Sequence, residues 1–461
     1  MNNPPNNKEF ILDNLTDVKQ VFLSFAAKIS PVNFNLLLNY FTNHSEDVIY
    51  FSQPDKSVIF LSYDKLFVQS FNQNEFNLIT NEIDILLNKL ITNHDEFPEF
   101  NFPVFLMTAK FPSNKISEEW DNFNQINFII PKISLYKNSE NYFILYNTLS
   151  DTFSNHENLN EILEGQFEKI IKLESKLTVS EQTKCEISFI EESDDKKSWE
   201  EKISTLLDII KSNDADKIVL ARRLKYKCAQ EINWQFIFDD LVEKYPGCTN
   251  FLIKSNSSIF FGSTPELFAR FNGKELFTEA LAGSIMRGSN PDEDKKLEDE
   301  LLHSVKNKFE HDSVTNNIFN ILSNHLESIE IDQNTTIKKL FYIQHLHTGI
   351  RGRLKPNVKI LDIISSFFPT PAVCGLPKEK AIETISHLEN FERGLFAGLF
   401  GWLNCQCSGE FNVTIRSALL KDNFLYVYAG GGIVEGSDAN DEFDETNLKF
   451  KPILSLFKNA N

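Results

Sequence analysis

Residues able to do chemistry gather near the carboxyl end of the chain. From Phe424 to Ala429 an apolar strand runs into Gly430, Gly431 and Gly432, and an acidic segment follows. In a helix begun near Asp438, Glu442, Glu445 and Lys449 fall at i, i+3 and i+7, so two carboxylates and an ammonium share one stripe while Phe443, Phe450 and Leu454 lie elsewhere. Consecutive glycines let backbone N–H groups turn toward an anion, and neighbouring carboxylates can hold a hard divalent cation. Together they describe a pocket for a Mg2+-bound carboxylate. A glycine-rich turn followed by a solvated helix face accounts for the same letters.

Other reactive types stand singly upstream. Lys217 opens the apolar strand Lys217 to Arg223, where a lone lysine is usually a polar strand end. Glu266 follows Gly262-Ser-Thr-Pro265, just before a hairpin signalled by Asn272-Gly273, and is either an exposed strand start or a buried, protonatable acid. Glu310 precedes the stripe Val314, Ile318, Ile321 and Leu322 on one helical face, at the edge of buried surface. His345 and His347 are read as closing an apolar strand, and no nearby cysteine or third histidine supports zinc. Arg416 falls on the polar face of a strand read from Glu410 to Leu420.

The elements that must position these groups alternate in type. Strand-like segments (Val58 to Leu61, Val104 to Phe111, Asn127 to Tyr136, Tyr142 to Tyr146) alternate with helical ones (Glu75 to Leu90, Leu159 to Leu177), and Pro131 marks an edge or a bulge in a meander. Ser198 to Glu201 reads as a capping box opening a helix, Pro291 to Leu326 as helix with an early break, and Pro369 to Pro377 as a proline-pinned loop. Met1 to Asn7 reads as a frayed tail.

The 461 residues suffice for a large core, and a net charge of −19 opposes binding to nucleic acid or to an anionic membrane surface. The longest uncharged apolar run, Gly394 to Leu403, is about half of what crosses a bilayer, and nothing near the start resembles a signal peptide, so a cytoplasmic protein is expected. Six scattered cysteines are too few for a disulfide framework.

Read in order, Lys217-Ile-Val-Leu-Ala-Arg, Gly262-Ser-Thr-Pro-Glu-Leu, Leu281-Ala-Gly-Ser284, Lys306-Asn-Lys-Phe-Glu-His311, Pro369-Thr-Pro-Ala-Val-Cys-Gly375, Val413-Thr-Ile-Arg416, Tyr428-Ala-Gly-Gly-Gly-Ile-Val434 and Glu442-Phe-Asp-Glu-Thr446 resemble the chorismate-utilising enzymes, and among them the isochorismate synthases. The match spans about Lys217 to Leu454. The resemblance implies an α/β (α+β) sandwich of two large, mostly antiparallel sheets flanked by helices. Residues 1–180 would form its divergent amino-terminal part and residues 181–461 its catalytic part, as one structural unit.

It also implies a reaction, the conversion of chorismate to isochorismate: water adds at C2 while the C4 hydroxyl leaves. Lys217 matches the base and Glu266 the acid, which requires a lysine partly neutral and a glutamate partly protonated. Glu310 and Glu445 match Mg2+ ligands, with Glu442 beside them through water. Arg416 and the backbone of Gly431 and Gly432 match the enolpyruvyl carboxylate site, while Lys449 and His345 match polar contacts to substrate. Ala282, Gly283, Ser284, Ala372 and Phe396 belong to motifs that line it.

Anthranilate synthases share these motifs but lack the base lysine, so no glutaminase partner is implied. Salicylate synthases keep the lysine, and usually place tyrosine where Phe396 stands. The product would feed menaquinone or siderophore synthesis, with salicylate synthesis or a non-catalytic member of the family as alternatives. Two residues depart from the pattern: Val305 replaces a common acidic residue, and Gly431 a frequent alanine.

Overall fold

The computed structural model describes residues 21–459 apart from 73–74, 98–99, 151–156 and 178–183; the tail expected at Met1 to Asn7 lies outside the described residues. The fold is mixed α/β, and strands of the first third pair directly with strands of the rest: Asn250 with Ser52, and Leu399 with Ala109. The sheet is mostly antiparallel, as expected, and among the described residues its ladders join into one continuous network of 21 strands.

That network separates two cores. Along the strand Asp47–Ser52, Ile49 and Phe51 enter one apolar cluster and Val48 and Tyr50 the other, as the period-two alternation of a strand buried on both faces requires. The larger core also receives Phe105, Phe128, Leu399, Phe400 and Phe411 from strands across it, together with Trp199 and Ile203 from the helix Lys196–Lys211. The smaller core is covered by the helices Phe34–His44 and Trp234–Lys244 through Leu37, Leu38, Phe238 and Leu241. Phenylalanine thus fills both.

Local corrections follow from backbone geometry. The helix expected to open at a Ser198 capping box starts at Lys196, because Asp195 accepts from the Ser198 N–H and is the cap. Pro131 lies opposite a register shift between Lys65 and Phe67, the bulge its missing N–H invites. The stretch from Glu410 to Leu420 is two strands, Gly409–Val413 and Ser417–Lys421, and Arg416 stands in the bend between them with φ of 51°. His345 and His347 lie near the start of the strand Ile343–Leu354 rather than at a strand's end.

The glycines are corrected most. Gly430, Gly431 and Gly432 do not leave the strand: Phe424–Ile433 continues through them, and they pair with Ala221, Leu220 and Val219. The ladder on this side takes only alternate N–H groups, and what the glycines add is close approach to the neighbouring strand rather than a turn.

Candidate active site

Lys217 begins the strand Lys217–Cys228, which is flanked by the glycine strand on one side and by the end of the proline loop on the other, with Ile218 facing both Ile433 and Gly375. Both neighbours approach closely because they lack a Cβ. At Gly375, whose φ is 137°, a Cβ would sit 2.3 Å from the Lys217 carbonyl oxygen; at Gly432 one would sit 2.7 Å from Lys217 Cε. Arg393 ties the same walls together, donating to the Val373 carbonyl at 2.9 Å and the Val219 carbonyl at 2.7 Å while held by Glu389.

These elements enclose a cavity of about 250 Å3. Lys217, Glu266, Ala282, Gly283, Ser284, Glu310, His345, Ala372, Phe396, Arg416, Gly432, Glu442, Glu445 and Lys449 all line it. Gly431 does not: the strand's alternation points its missing side chain at Glu442 and Thr446, with a would-be Cβ 3.3 Å from Glu442 Oε2. The part expected of it in carboxylate binding belongs to its backbone rather than to this face.

Glu266 is buried, and its only side-chain hydrogen bond among the described residues comes from the Thr370 hydroxyl at 3.3 Å. Burial, with the Glu279 charge adding to it and Lys217 and Lys338 opposing, pushes its carboxyl up to about 7. The carboxyl can therefore carry a proton near neutrality. Lys217 Nζ instead donates to Glu310 Oε1 at 2.7 Å, Glu310 reaching it from the helix Val305–Ser323.

Arg416 is buried in the wall, and its guanidinium makes no hydrogen bond or ion pair among the described residues. A desolvated, unpaired cation facing a cavity is costly until an anion joins it. Its left-handed backbone, uncommon outside glycine, is the kind of strain a surrounding fold imposes at a binding position. His345 Nδ1 lies 2.8 Å from Ser284 Oγ while Nε2 has no partner, and burial with Arg416, Lys449 and Lys338 nearby holds the ring neutral.

Among the described residues no three or more His, Cys, Asp or Glu side chains gather at metal-binding distance. The three expected ligands are engaged elsewhere: Glu310 with Lys217, Glu445 with Lys449 at 2.6 Å, and Glu442 with the Ser437 hydroxyl at 2.8 Å and Lys306 at 3.3 Å. Their chemistry nevertheless fits a hard divalent ion. All three are oxygen donors on one cavity wall. Burial and the charge of Glu445 raise Glu442, while for Glu445 burial is outweighed by Lys449 and its carboxyl is lowered. A cation would relieve the crowding of these two.

Lys306, Asn307 and Tyr428 also line the cavity and were not singled out. Asn307 donates no signal of its own, but the φ of 73° at Gly283 brings that backbone against it. Tyr428 stacks on Phe396 with ring centroids 5.3 Å apart.

Residues 9–458 match the sequence model described as chorismate binding enzyme. The chain is 33% identical over 344 residues to the isochorismate synthase MenF of Bacillus subtilis (strain 168), covering 75% of this chain and 72% of that protein. It is 31% identical over 438 residues to the isochorismate synthase MenF of Haemophilus influenzae, covering 94% and 91%. Its fold is similar to that of the menaquinone-specific isochorismate synthase MenF from Escherichia coli, with a TM-score of 0.75 at 21% identity over 96% of this chain and 97% of that one.

Proposed function

Because this chain belongs to the chorismate-binding enzyme family, we propose that it is an isochorismate synthase, an isomerase that moves a hydroxyl from C4 to C2 of chorismate. The observation that carries the reading is that an amine, Lys217, and a protonatable carboxyl, Glu266, border one cavity whose wall also holds an unpaired guanidinium. In this reading Arg416 takes the enolpyruvyl carboxylate as a bidentate guest. Lys217 accepts a proton from the water that adds at C2. Glu266 gives its proton to the C4 oxygen, which leaves as water, so the ring loses one water and gains another.

Lys217 acts as base in its neutral form, which can still donate one N–H to Glu310 while its lone pair takes the proton of the water. Glu310, Glu442 and Glu445 would hold Mg2+, which when bound supplies positive charge to neutralise the ring carboxylate. Lys449, fixed between Glu445 and the Gly430 carbonyl at 2.9 Å, keeps that helix registered on the glycine strand. The product would pass to menaquinone or siderophore assembly.

Purified protein incubated with chorismate and Mg2+ is expected to form isochorismate without pyruvate. Salicylate with stoichiometric pyruvate would replace this reading by a salicylate synthase. Unchanged chorismate would sink both.

A further inference from the structure

Glu266 sits between the strands Ser258–Thr264 and Leu267–Asn272, outside either ladder, yet the peptide groups on both sides of it are held. Lys338 Nζ donates to the Pro265 carbonyl at 2.7 Å and to Glu279 Oε1 at 2.6 Å. The same Glu279 oxygen accepts from the Leu267 N–H at 3.4 Å. Glu279 Oε2 lies 2.8 Å from His347 Nε2, and His347 Nδ1 lies 3.2 Å from Thr336 Oγ1.

Three neighbouring strands supply this chain of contacts. Glu275–Met286 carries Glu279, Thr336–Lys339 carries Lys338, and Ile343–Leu354, which pairs with both, carries His347. None of the three residues lines the cavity. The Glu279 side chain is 6% exposed and the Lys338 side chain 25%, so this is an ion pair largely removed from water; it adds to the bonds Glu266 makes itself, its N–H donating to Thr264 Oγ1 at 3.2 Å and its carbonyl accepting from the Val413 N–H at 3.1 Å.

We propose that Lys338, Glu279 and His347 form a positioning device for Glu266: the lysine and glutamate clamp the backbone on either side of it, His347 orients the glutamate, and their opposite charges set the field in which the carboxyl holds its proton. This rests on Glu266 acting as the acid of the proposed reaction.

The charged groups facing the Glu266 carboxyl are Lys217 from its strand, Glu279, Lys338, and Arg416 from the bend. Glu279 favours the protonated form and the two lysines oppose it. An acid that must be protonated gives an activity that falls as pH rises through its titration. Removing the cation in Lys338→Met therefore lets the carboxyl keep its proton longer and moves the alkaline limb of kcat/KM upward. Removing the anion in Glu279→Gln moves that limb downward.

Each displacement is expected to be about one pH unit. With the clamp broken, kcat should fall about tenfold to a hundredfold with KM little changed. Lys338→Arg keeps both charge and donors and should recover most of kcat. A merely structural role predicts none of the opposed signs.

The assay is isochorismate formation from chorismate across pH for wild type and these variants, with a thermal melt of each. Limbs that stay together or move the same way overturn the proposal. If Glu279→Gln does not fold, Lys338→Met, at the more exposed end of the pair, decides alone: an unmoved limb refutes the device. A wild-type chain that makes no isochorismate retires the functional reading itself, whereas an active wild type with unaltered variants retires only the device.

Discussion

Of the lysine–glutamate pairs in this protein, Lys110–Glu392 and Lys217–Glu310 are both largely buried and nearly equal in length, and of these two only the second borders the cavity. Lys110 meets Glu392 at 2.9 Å between the first third and the rest of the chain, and every partner is doubled: the lysine also donates to the Trp120 carbonyl at 3.2 Å, and Glu392 accepts from the Ser117 N–H at 2.8 Å and from its hydroxyl at 3.2 Å. Lys217 meets Glu310 at 2.7 Å, and neither has a second side-chain hydrogen bond among the described residues. The first pair is a closed network that stitches two segments distant in sequence. The second is under-coordinated and faces a space where a water or an ion can take either partner away. Burial and distance alone do not mark a catalytic group; incomplete satisfaction beside a cavity does.

Removing the proposed base from the cavity pair, or the proposed acid beside it, should cost the most activity. Lys217→Ala and Glu266→Gln are each expected to lower kcat by about 10^2 to 10^4, the range for losing a positioned base or acid, with the melting temperature nearly unchanged. Near-normal turnover in either would remove the acid and base assignment.

The glycine pair sharpens the same contrast between crowded and tolerant sites. Gly432→Ala pushes a methyl into Lys217 and should lower kcat about a hundredfold through a misplaced amine, as measured by steady-state kinetics. Gly431→Ala meets only Glu442 Oε2 at 3.3 Å and should stay within about threefold of wild type. Equal effects at the two positions would contradict the strand alternation.

A pH profile tests the acid directly. With the Glu266 carboxyl at about 7, kcat/KM should fall about tenfold per unit above that pH, because only the protonated form can serve. A profile flat from roughly one unit below that pH to about two above it would show that no such acid is used.

The smallest effect on turnover belongs to the other pair. Lys110→Met should leave the kcat of folded enzyme near normal while destabilising the protein by about 3–5 kcal/mol, the cost of leaving Glu392 buried and unpaired, read by denaturant melts. A loss of kcat without loss of stability would blur the distinction drawn between the pairs.

Much of the cavity lining could be read from residue order, because each motif holds its group at a fixed offset from a strand or helix end. The stripe of Glu442, Glu445 and Lys449 follows from 3.6-residue periodicity once Asp438 caps the helix, and the helix indeed begins at Ala439. The Glu279, Lys338 and His347 network was not legible. Its members lie on three strands, and nothing local distinguishes Lys338 from the exposed Lys339 beside it.

What the sequence determined by itself was therefore the inventory and its local geometry: which groups stand at strand starts, on one helix face, or beside small residues. What only the tertiary structure decided was company. Register placed Gly432 against Lys217 rather than in a turn, the bend at Arg416 aimed a guanidinium at the cavity, and burial raised Glu266. Each depends on contacts between segments tens to hundreds of residues apart, where hydrogen-bond pairing and desolvation, not local preference, set the energy.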